Sequence, residues 1–123
     1  TASGKLYLSS INRNRRLRLT KRLPLKQYTR NTIVDSDILE EELGLIRKTG
    51  IGTDNEEFVD GMVACAVPVL DRHGKLFACL FTHAPVIRKS LDELLGYVPM
   101  LTNAAMELSR LIDDPDGDLE GAQ

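Results

Sequence analysis

A strand–hairpin–strand pattern constrains the fold more than any other feature of this sequence. Bulky and small residues alternate from Val63 to Val69, which is the two-residue period of a β-strand. The polar segment 71–75 contains a glycine and predicts a hairpin loop, and the apolar run 76–81 predicts the returning strand. Strands joined by so short a loop pair in antiparallel fashion, so we expect an antiparallel sheet.

Helical patterns precede the strands. Asp35 or Ser36 can cap a helix whose apolar residues recur at helical spacing, and Gly50 is expected to end it. Further upstream, residues 5–22 predict a short helix that a basic helix continues. Between these helices, residues 27–34 are expected to form an extended linker.

The C-terminal part of the chain predicts one long helix. Ser90 and Glu93 have the spacing of a capping box, and an apolar stripe continues from there to Ile112. Pro99 is expected to kink this helix. Residues 1–112 are therefore predicted to form one domain, and the acidic residues 113–123 are predicted to form a disordered tail.

Positive and negative charges are divided unevenly along the chain. Residues 1–34 contain nine Lys and Arg and no acid, whereas the remainder contains seven bases and eighteen acids. This division indicates either nucleic-acid contact or a basic lobe packed beside an acidic one. The basic run has only Tyr28 as an interleaved aromatic residue and no recognisable helix-turn-helix. We therefore favour a solvated surface, or a contact with another part of the parent protein.

Cysteine content and hydropathy bear on the cellular compartment. Two cysteines, Cys65 and Cys79, are too few for a disulfide framework, which favours a reducing cytoplasm. They are expected to be small buried thiols, although adjacent strands could bring them together. No run of eighteen apolar residues is present, so we expect no membrane-spanning helix.

Candidate catalytic residues are few. The sequence has no Gly-rich phosphate loop, no Cys-x-x-Cys motif and no His pair at metal-ligand spacing, so we expect neither a metal, nor an organic cofactor, nor enzymatic activity. His83 ends a strand predicted to be central, where an isolated His is more often a hydrogen-bonded core residue than a base. Glu56 and Glu57 are neighbours in a turn and are expected to be solvated. Cys65 and Cys79 have apolar neighbours, which makes them poor nucleophiles for a cysteine enzyme.

Three ordered segments resemble the ligand-sensing domain of IclR-type bacterial transcription regulators. They are Thr1-Ala2-Ser3-Gly4-Lys5, the acidic turn and strands from Thr53 to Pro85, and the helix with Ala104-Ala105-Met106-Glu107-Leu108-Ser109. The resemblance implies an α+β fold with a GAF/PAS-like antiparallel sheet flanked by helices. It also implies that DNA is bound by a separate N-terminal winged helix-turn-helix of the parent protein. In this family a helix and strands usually precede the first motif, and without them a sheet edge would be exposed.

The resemblance also implies an effector pocket on the concave face of the sheet. Carried over by motif, its lining consists of Ala2, Ser3, Asp54, Ala64, Phe81 and His83. Small residues at the start of a helix leave backbone N–H groups free for a carboxylate, and Ser3 adds a hydroxyl donor. Asp54 would repel an acid, so we expect it to accept a hydrogen bond from an effector hydroxyl or from a backbone amide.

The predicted pocket departs from family members that bind small keto acids. Those members have a Cys in place of Ala64 and two Ser in place of Phe81 and His83. We therefore expect a different small organic acid, such as an aromatic carboxylate that stacks on Phe81 and hydrogen-bonds His83. Its binding would control DNA binding allosterically through a homodimer or homotetramer. The alternatives are an oligomerisation module whose vestigial pocket these side chains fill, and a small GAF-like cysteine enzyme.

Overall fold

The computed structural model describes residues 1–113. They form a three-stranded antiparallel sheet with helices on both faces, which confirms the predicted α+β class. The elements in chain order are α1 (Ala2–Ser10), α2 (Arg13–Arg22), α3 (Ser36–Thr49), β1 (Gly52–Asn55), β2 (Met62–Leu70), β3 (Leu76–Pro85), α4 (Leu91–Leu95) and α5 (Val98–Asp113).

Strand β2 lies in the middle of the sheet, between β1 and β3. Alternation along β2 divides its side chains between two layers. Ala66 packs into a core with α1 and α3, whereas Cys65 and Val67 pack into cores with α4 and α5. Strand β1 occupies the other side of β2. In the described part of the chain, β3 pairs with β2 alone and is therefore an edge strand. The expectation that His83 ends a central strand is therefore wrong.

Local capping signals determine the ends of α3. The carboxylate of Asp35 accepts hydrogen bonds from the backbone N–H groups of Asp37 and Ile38, and Gly50 ends the helix with a left-handed φ of 71°. The predicted extent of this helix is confirmed. Its apolar face, which includes the fully buried Leu43, packs against α1.

Two helices replace the single C-terminal helix that the sequence predicts. The capping box of Ser90 and Glu93 is confirmed at the start of α4, but this helix ends at Gly96 and α5 starts at Val98. Pro99 then falls in the first turn of α5, where its missing N–H would have no intrahelical acceptor. The predicted kink at Pro99 is therefore wrong. Helix α5 extends to Asp113, and the rest of the predicted tail lies outside the described residues.

Residues 27–34 form a packed loop rather than the extended linker that was expected. Thr29 is buried, and its hydroxyl donates to the carbonyl oxygen of Glu56. The hydroxyl of Thr32 donates to the carbonyl oxygen of Glu57. These two hydrogen bonds hold the loop against the acidic turn between β1 and β2.

The basic N-terminal part of the chain packs directly against the acidic α3. The buried Arg16 of α2 donates two hydrogen bonds to Oε1 of Glu40, at 2.9 and 2.7 Å. These hydrogen bonds lower the pKa of Glu40. Lys5 of α1 likewise lies 3.3 Å from the carboxylate of Glu42. Part of the uneven charge distribution is thus explained by packing between neighbouring helices.

Candidate ligand-binding cavity

A cavity of about 430 Å³ lies between the start of α1, the turn after β1 and one face of the sheet. Its volume is typical of small-molecule sites. All six residues predicted to form the effector pocket line this cavity: Ala2, Ser3, Asp54, Ala64, Phe81 and His83. The structure thus brings the six together, and their role in binding an effector stays a prediction.

The floor of the cavity is one row of residues across the sheet. Asp54 on β1 pairs with Ala64 on β2, and Ala64 pairs with His83 on β3, so the three side chains share a face. In the next row Ala66 pairs with Phe81. The small side chain of Ala64 in the middle of its row leaves space between Asp54 and His83.

The start of α1 forms one wall of the cavity. A Cβ atom on Gly52 would collide with the carbonyl oxygen of Ala2, so only glycine at this position allows the helix to lie so close to β1. The hydroxyl oxygen of Thr1 accepts a hydrogen bond from the N–H of Gly4 at 3.0 Å. The backbone N–H groups of Ala2 and Ser3 have no acceptor within the helix. Together with the helix dipole they favour an anionic group at this wall.

Asp54 is held in place by the turn that follows it. Its side chain is buried, and Oδ1 accepts a hydrogen bond from the N–H of Glu57 at 2.8 Å. Asp54 was expected to accept a hydrogen bond from an effector hydroxyl or from a backbone amide, and the structure shows the backbone amide. The carboxylate of Glu57 in turn accepts hydrogen bonds from Nζ of Lys5, at 3.0 and 3.1 Å.

The expectation that Glu56 and Glu57 are both solvated is wrong. The side chain of Glu57 is only 15% exposed because it pairs with the buried Lys5. Oε1 of Glu56 accepts a hydrogen bond from the N–H of Gly61, and Glu56 has a positive φ of 57°. Both carboxylates therefore stabilise the turn that bounds the cavity.

Phe81 and His83 form an aromatic wall at the open side of the cavity. Their ring centroids are 5.8 Å apart in an edge-to-face arrangement. Phe81 is 53% exposed and His83 is exposed as well, so the expectation that His83 is a core residue is wrong. The cavity volume of about 430 Å³ is the space that remains with both side chains in place.

Five lining residues were not predicted from the sequence: Thr1, Phe58, Val59, Met62 and Val63. Phe58, Val59 and Met62 form the outer wall of the cavity. Phe58 also contacts Tyr28 of the packed loop, with ring centroids 5.2 Å apart. Phe58 and Val59 are apolar residues within an otherwise acidic turn, and this contrast was the signal that could have identified these two.

The two cysteines lie on opposite faces of the sheet. The thiol of Cys65 donates to the carbonyl oxygen of Leu94 in α4, and that of Cys79 donates to the carbonyl oxygen of Ser3 in α1. Burial raises the pKa of both thiols. Neither thiol is therefore activated as a nucleophile. Across residues 1–113, no group of three or more His, Cys, Asp or Glu side chains could hold a metal ion.

Comparison with known proteins assigns the family. Residues 1–110 match the sequence profile of the C-terminal domain of the bacterial transcriptional regulator IclR. The chain belongs to the IclR family. It is 38% identical over 108 residues to the probable transcriptional regulator SauR of Cupriavidus necator. That match covers 88% of this chain and 43% of SauR, so the chain spans less than half the length of this relative.

Solved structures of IclR-family domains have the same fold. The inducer-binding domain of the transcription factor PobR from Acinetobacter, a double mutant in complex with 3-hydroxybenzoic acid, is 33% identical with a TM-score of 0.84. The C-terminal domain of Escherichia coli KdgR is 36% identical with a TM-score of 0.81. Each match covers 89% of this chain, but only 63% of the PobR chain and 67% of the KdgR chain. Within residues 1–113, this IclR-family domain has no helix with the length and apolar character needed to cross a bilayer.

Proposed function

We propose that this IclR-family domain senses a small aromatic carboxylic acid, which binds in the cavity between α1 and the sheet. The observation that carries the proposal is the convergence of the six motif-matched residues on one cavity. In the parent protein, bound acid would control DNA binding by a separate winged helix-turn-helix domain. Residues 1–112 would form the sensing domain, with a sensing rather than a catalytic role.

The polarity of the cavity suggests how such an acid would lie. Its carboxylate would accept hydrogen bonds from the N–H groups of Ala2 and Ser3, where the helix dipole favours negative charge. Its ring would lie over Ala64, between Asp54 and His83. Neighbouring strands are about 4.8 Å apart, so the backbones at Asp54 and His83 are separated by roughly 10 Å, which leaves room for one aromatic ring. Phe81 would contact the edge or face of that ring.

The ligand of one similar protein supports this class of effector. The inducer-binding domain of PobR was solved with 3-hydroxybenzoic acid, an aromatic carboxylate. A ring hydroxyl on such an acid would also suit this chain, because the second carboxylate oxygen of Asp54 is an additional acceptor beside the one that binds Glu57.

Contacts around the cavity provide a route for allosteric control. The turn between β1 and β2 contributes Phe58 to the cavity, and Phe58 contacts Tyr28 in the loop that joins α2 to α3. Bound acid that changes the position of Phe58 would therefore change the contacts of this loop. In a homodimer or homotetramer, such a change would favour one spacing of the DNA-binding domains.

Thermal unfolding with a panel of acids tests the proposal. Benzoate and its hydroxylated derivatives would be compared with aliphatic keto acids of similar charge. An acid present at about one hundred times its Kd stabilises the folded state by about 2.7 kcal/mol, which raises Tm by several degrees for a domain of this size. We expect this increase for the aromatic acids and a smaller one for the keto acids.

Matched variants separate binding from structural support. His83→Ala and Phe81→Ala are expected to abolish the increase in Tm, whereas His73→Ala in the exposed hairpin is expected to leave it unchanged. Unchanged affinity with lower stability in the His83 and Phe81 variants would instead support the oligomerisation module. A folded chain that no acid stabilises would also contradict sensing. Rapid alkylation of Cys65 or Cys79 in the folded protein would favour the cysteine enzyme.

A further inference from the structure

A second concave surface lies at the other end of α1. This groove of about 780 Å³ is formed by the α1–α2 turn, the end of α3 and the β2–β3 hairpin. Three exposed cationic side chains line it, Arg15, Arg47 and Lys75, and no acidic residue does. We call this surface the basic groove.

The three cations of the basic groove differ from the buried cations of the same region. Lys5 and Arg16 are each paired with carboxylates. Arg15, by contrast, donates to the hydroxyl of Tyr7 at 3.4 Å, and Arg47 donates to the carbonyl oxygen of Ser9 at 3.3 Å. Among residues 1–112, no carboxylate lies within ion-pair distance of Arg15, Arg47 or Lys75.

Two carboxylates near the basic groove, Asp71 and Glu40, bind other partners. Asp71 in the hairpin accepts hydrogen bonds from the backbone N–H groups of His73 and Lys75. Glu40, which lies close enough to Arg47 for the charge to lower its pKa, is bound by Arg16. The basic groove therefore holds three positive charges that form no ion pair among the described residues, although Glu40 lies near Arg47 and Asp71 lies near Lys75.

The chain that follows α5 carries the complementary charge. Residues 114–120 contain four acids and no base, and Asp113 at the end of α5 adds a fifth acid. The hydroxyl of Ser109 in α5 donates to the carbonyl oxygen of Leu70, and Leu70 also lines the basic groove. Asp113 lies one helical turn beyond Ser109, about 6 Å along the axis. Residues 114–123 follow it, and ten residues can extend up to about 33 Å.

We propose that the acidic segment after α5 binds in the basic groove of the same chain. The tether holds the acids at a high effective concentration near the groove, which favours this segment over a separate molecule. The contact depends on opposite charges and is therefore weakened by salt. It would shield Arg15, Arg47 and Lys75 from other polyanions, including DNA.

Carbodiimide cross-linking of the chain of residues 1–123 tests this contact. The reagent joins an amine to a carboxylate without a spacer, and mass spectrometry identifies the linked peptides. We expect Lys75 to link to acids within residues 113–120 at low ionic strength, with a yield several times lower in high salt. Lys26, which is also exposed but lies beside Tyr28 near the effector cavity, serves as the reference amine.

Variants and isotope mixing complete the design. Arg15→Gln with Arg47→Gln should lower the yield at Lys75 several-fold, whereas Arg13→Gln with Arg18→Gln, which removes two exposed cations of α2 outside the groove, should not. To distinguish links within one chain from links between two chains, chains labelled with heavy and light nitrogen are mixed before cross-linking. Equal yields at Lys75 and Lys26, or links found only between heavy and light chains, would overturn the proposal. The acids within residues 114–120 are also replaced by neutral residues. If this replacement does not strengthen DNA binding, the segment does not shield the groove.

Discussion

Arg16 and Lys5 are the two basic side chains of the N-terminal region that the fold buries. A buried charge is tolerated when it is paired and hydrogen-bonded, and both residues meet this condition. Arg16 binds Glu40 of α3, and Lys5 joins Glu42 of α3 to Glu57 of the cavity turn. Two ion pairs of Lys5 and one ion pair of Arg16 therefore connect α1 and α2 to the acidic half of the molecule.

The Arg16–Glu40 pair predicts a pH-dependent contribution to stability. Glu40→Gln leaves the buried guanidinium with a neutral partner and is expected to lower the free energy of unfolding by about 1–3 kcal/mol at pH 7. Arg16 lowers the pKa of Glu40 in the folded protein, so this contribution is complete above the ordinary glutamate pKa of about 4.3. It is lost as the pH falls through the lowered pKa.

Urea unfolding from pH 7 into the acid range measures this effect. The difference between Glu40→Gln and the unsubstituted chain should shrink as the pH falls. Glu41→Gln, an exposed neighbour on the same helix, should show little difference at any pH. A difference for Glu40→Gln that stays constant across the pH range would contradict the assignment of the pKa shift to this pair.

Helix α1 links the two concave surfaces of the molecule. Its first residues form a wall of the ligand cavity, and its last turn borders the basic groove. The position of α1 on the sheet depends on Gly52, because any side chain there would meet the backbone of Ala2. A displacement of α1 would therefore affect both surfaces.

Gly52→Ala tests this dependence. The added methyl group collides with the carbonyl oxygen of Ala2, so we expect a loss of about 1–3 kcal/mol in the free energy of unfolding and weaker binding of any acid in the cavity. Gly44→Ala is the matched control, since its Cβ would enter open space within α3 and alanine favours a helix by up to about 1 kcal/mol. Denaturant unfolding compares the two variants. Equal stability of both would show that α1 does not depend on a glycine at position 52.

At the scale of the whole sheet, β3 forms an edge among residues 1–113. Within residues 1–113, β3 pairs with β2 alone, and Phe77 and Phe81 on β3 are both more than half exposed. The solved PobR and KdgR domains are longer than this chain. An exposed edge strand with apolar side chains favours association through added strand pairing.

Self-association is therefore expected for the chain of 123 residues. Light scattering over a range of concentrations should show an average mass that rises with concentration. Phe77→Lys places a charge on the edge and should lower this mass, because lysine on an edge strand opposes strand pairing. Ile87→Lys, at a residue that is 93% exposed but follows β3, should have little effect. A monomer at all concentrations would rule out association through this edge.

Local signals made part of this structure predictable from the sequence. Asp35 and Gly50 determine the ends of α3 through their own hydrogen bonds and backbone angles, and the family motifs identified six residues that line one cavity. The remaining features depend on contacts between distant segments. The exposure of His83 follows from strand order, and the place of Phe58 in the cavity follows from a turn held by Thr29 and its neighbours.

The row formed by Asp54, Ala64 and His83 has a consequence for the evolution of such domains. Each residue belongs to a different strand, and the next residue along β2, Cys65, packs into the core on the opposite face. Mutations in this row therefore alter the surface presented to a small molecule while the core beneath α4 remains packed. Diversification of ligand preference, in nature or in engineered biosensors, can proceed with little loss of foldability at the exposed His83, whereas Asp54 also binds the N–H of Glu57 and Ala64 also packs against the core under α1.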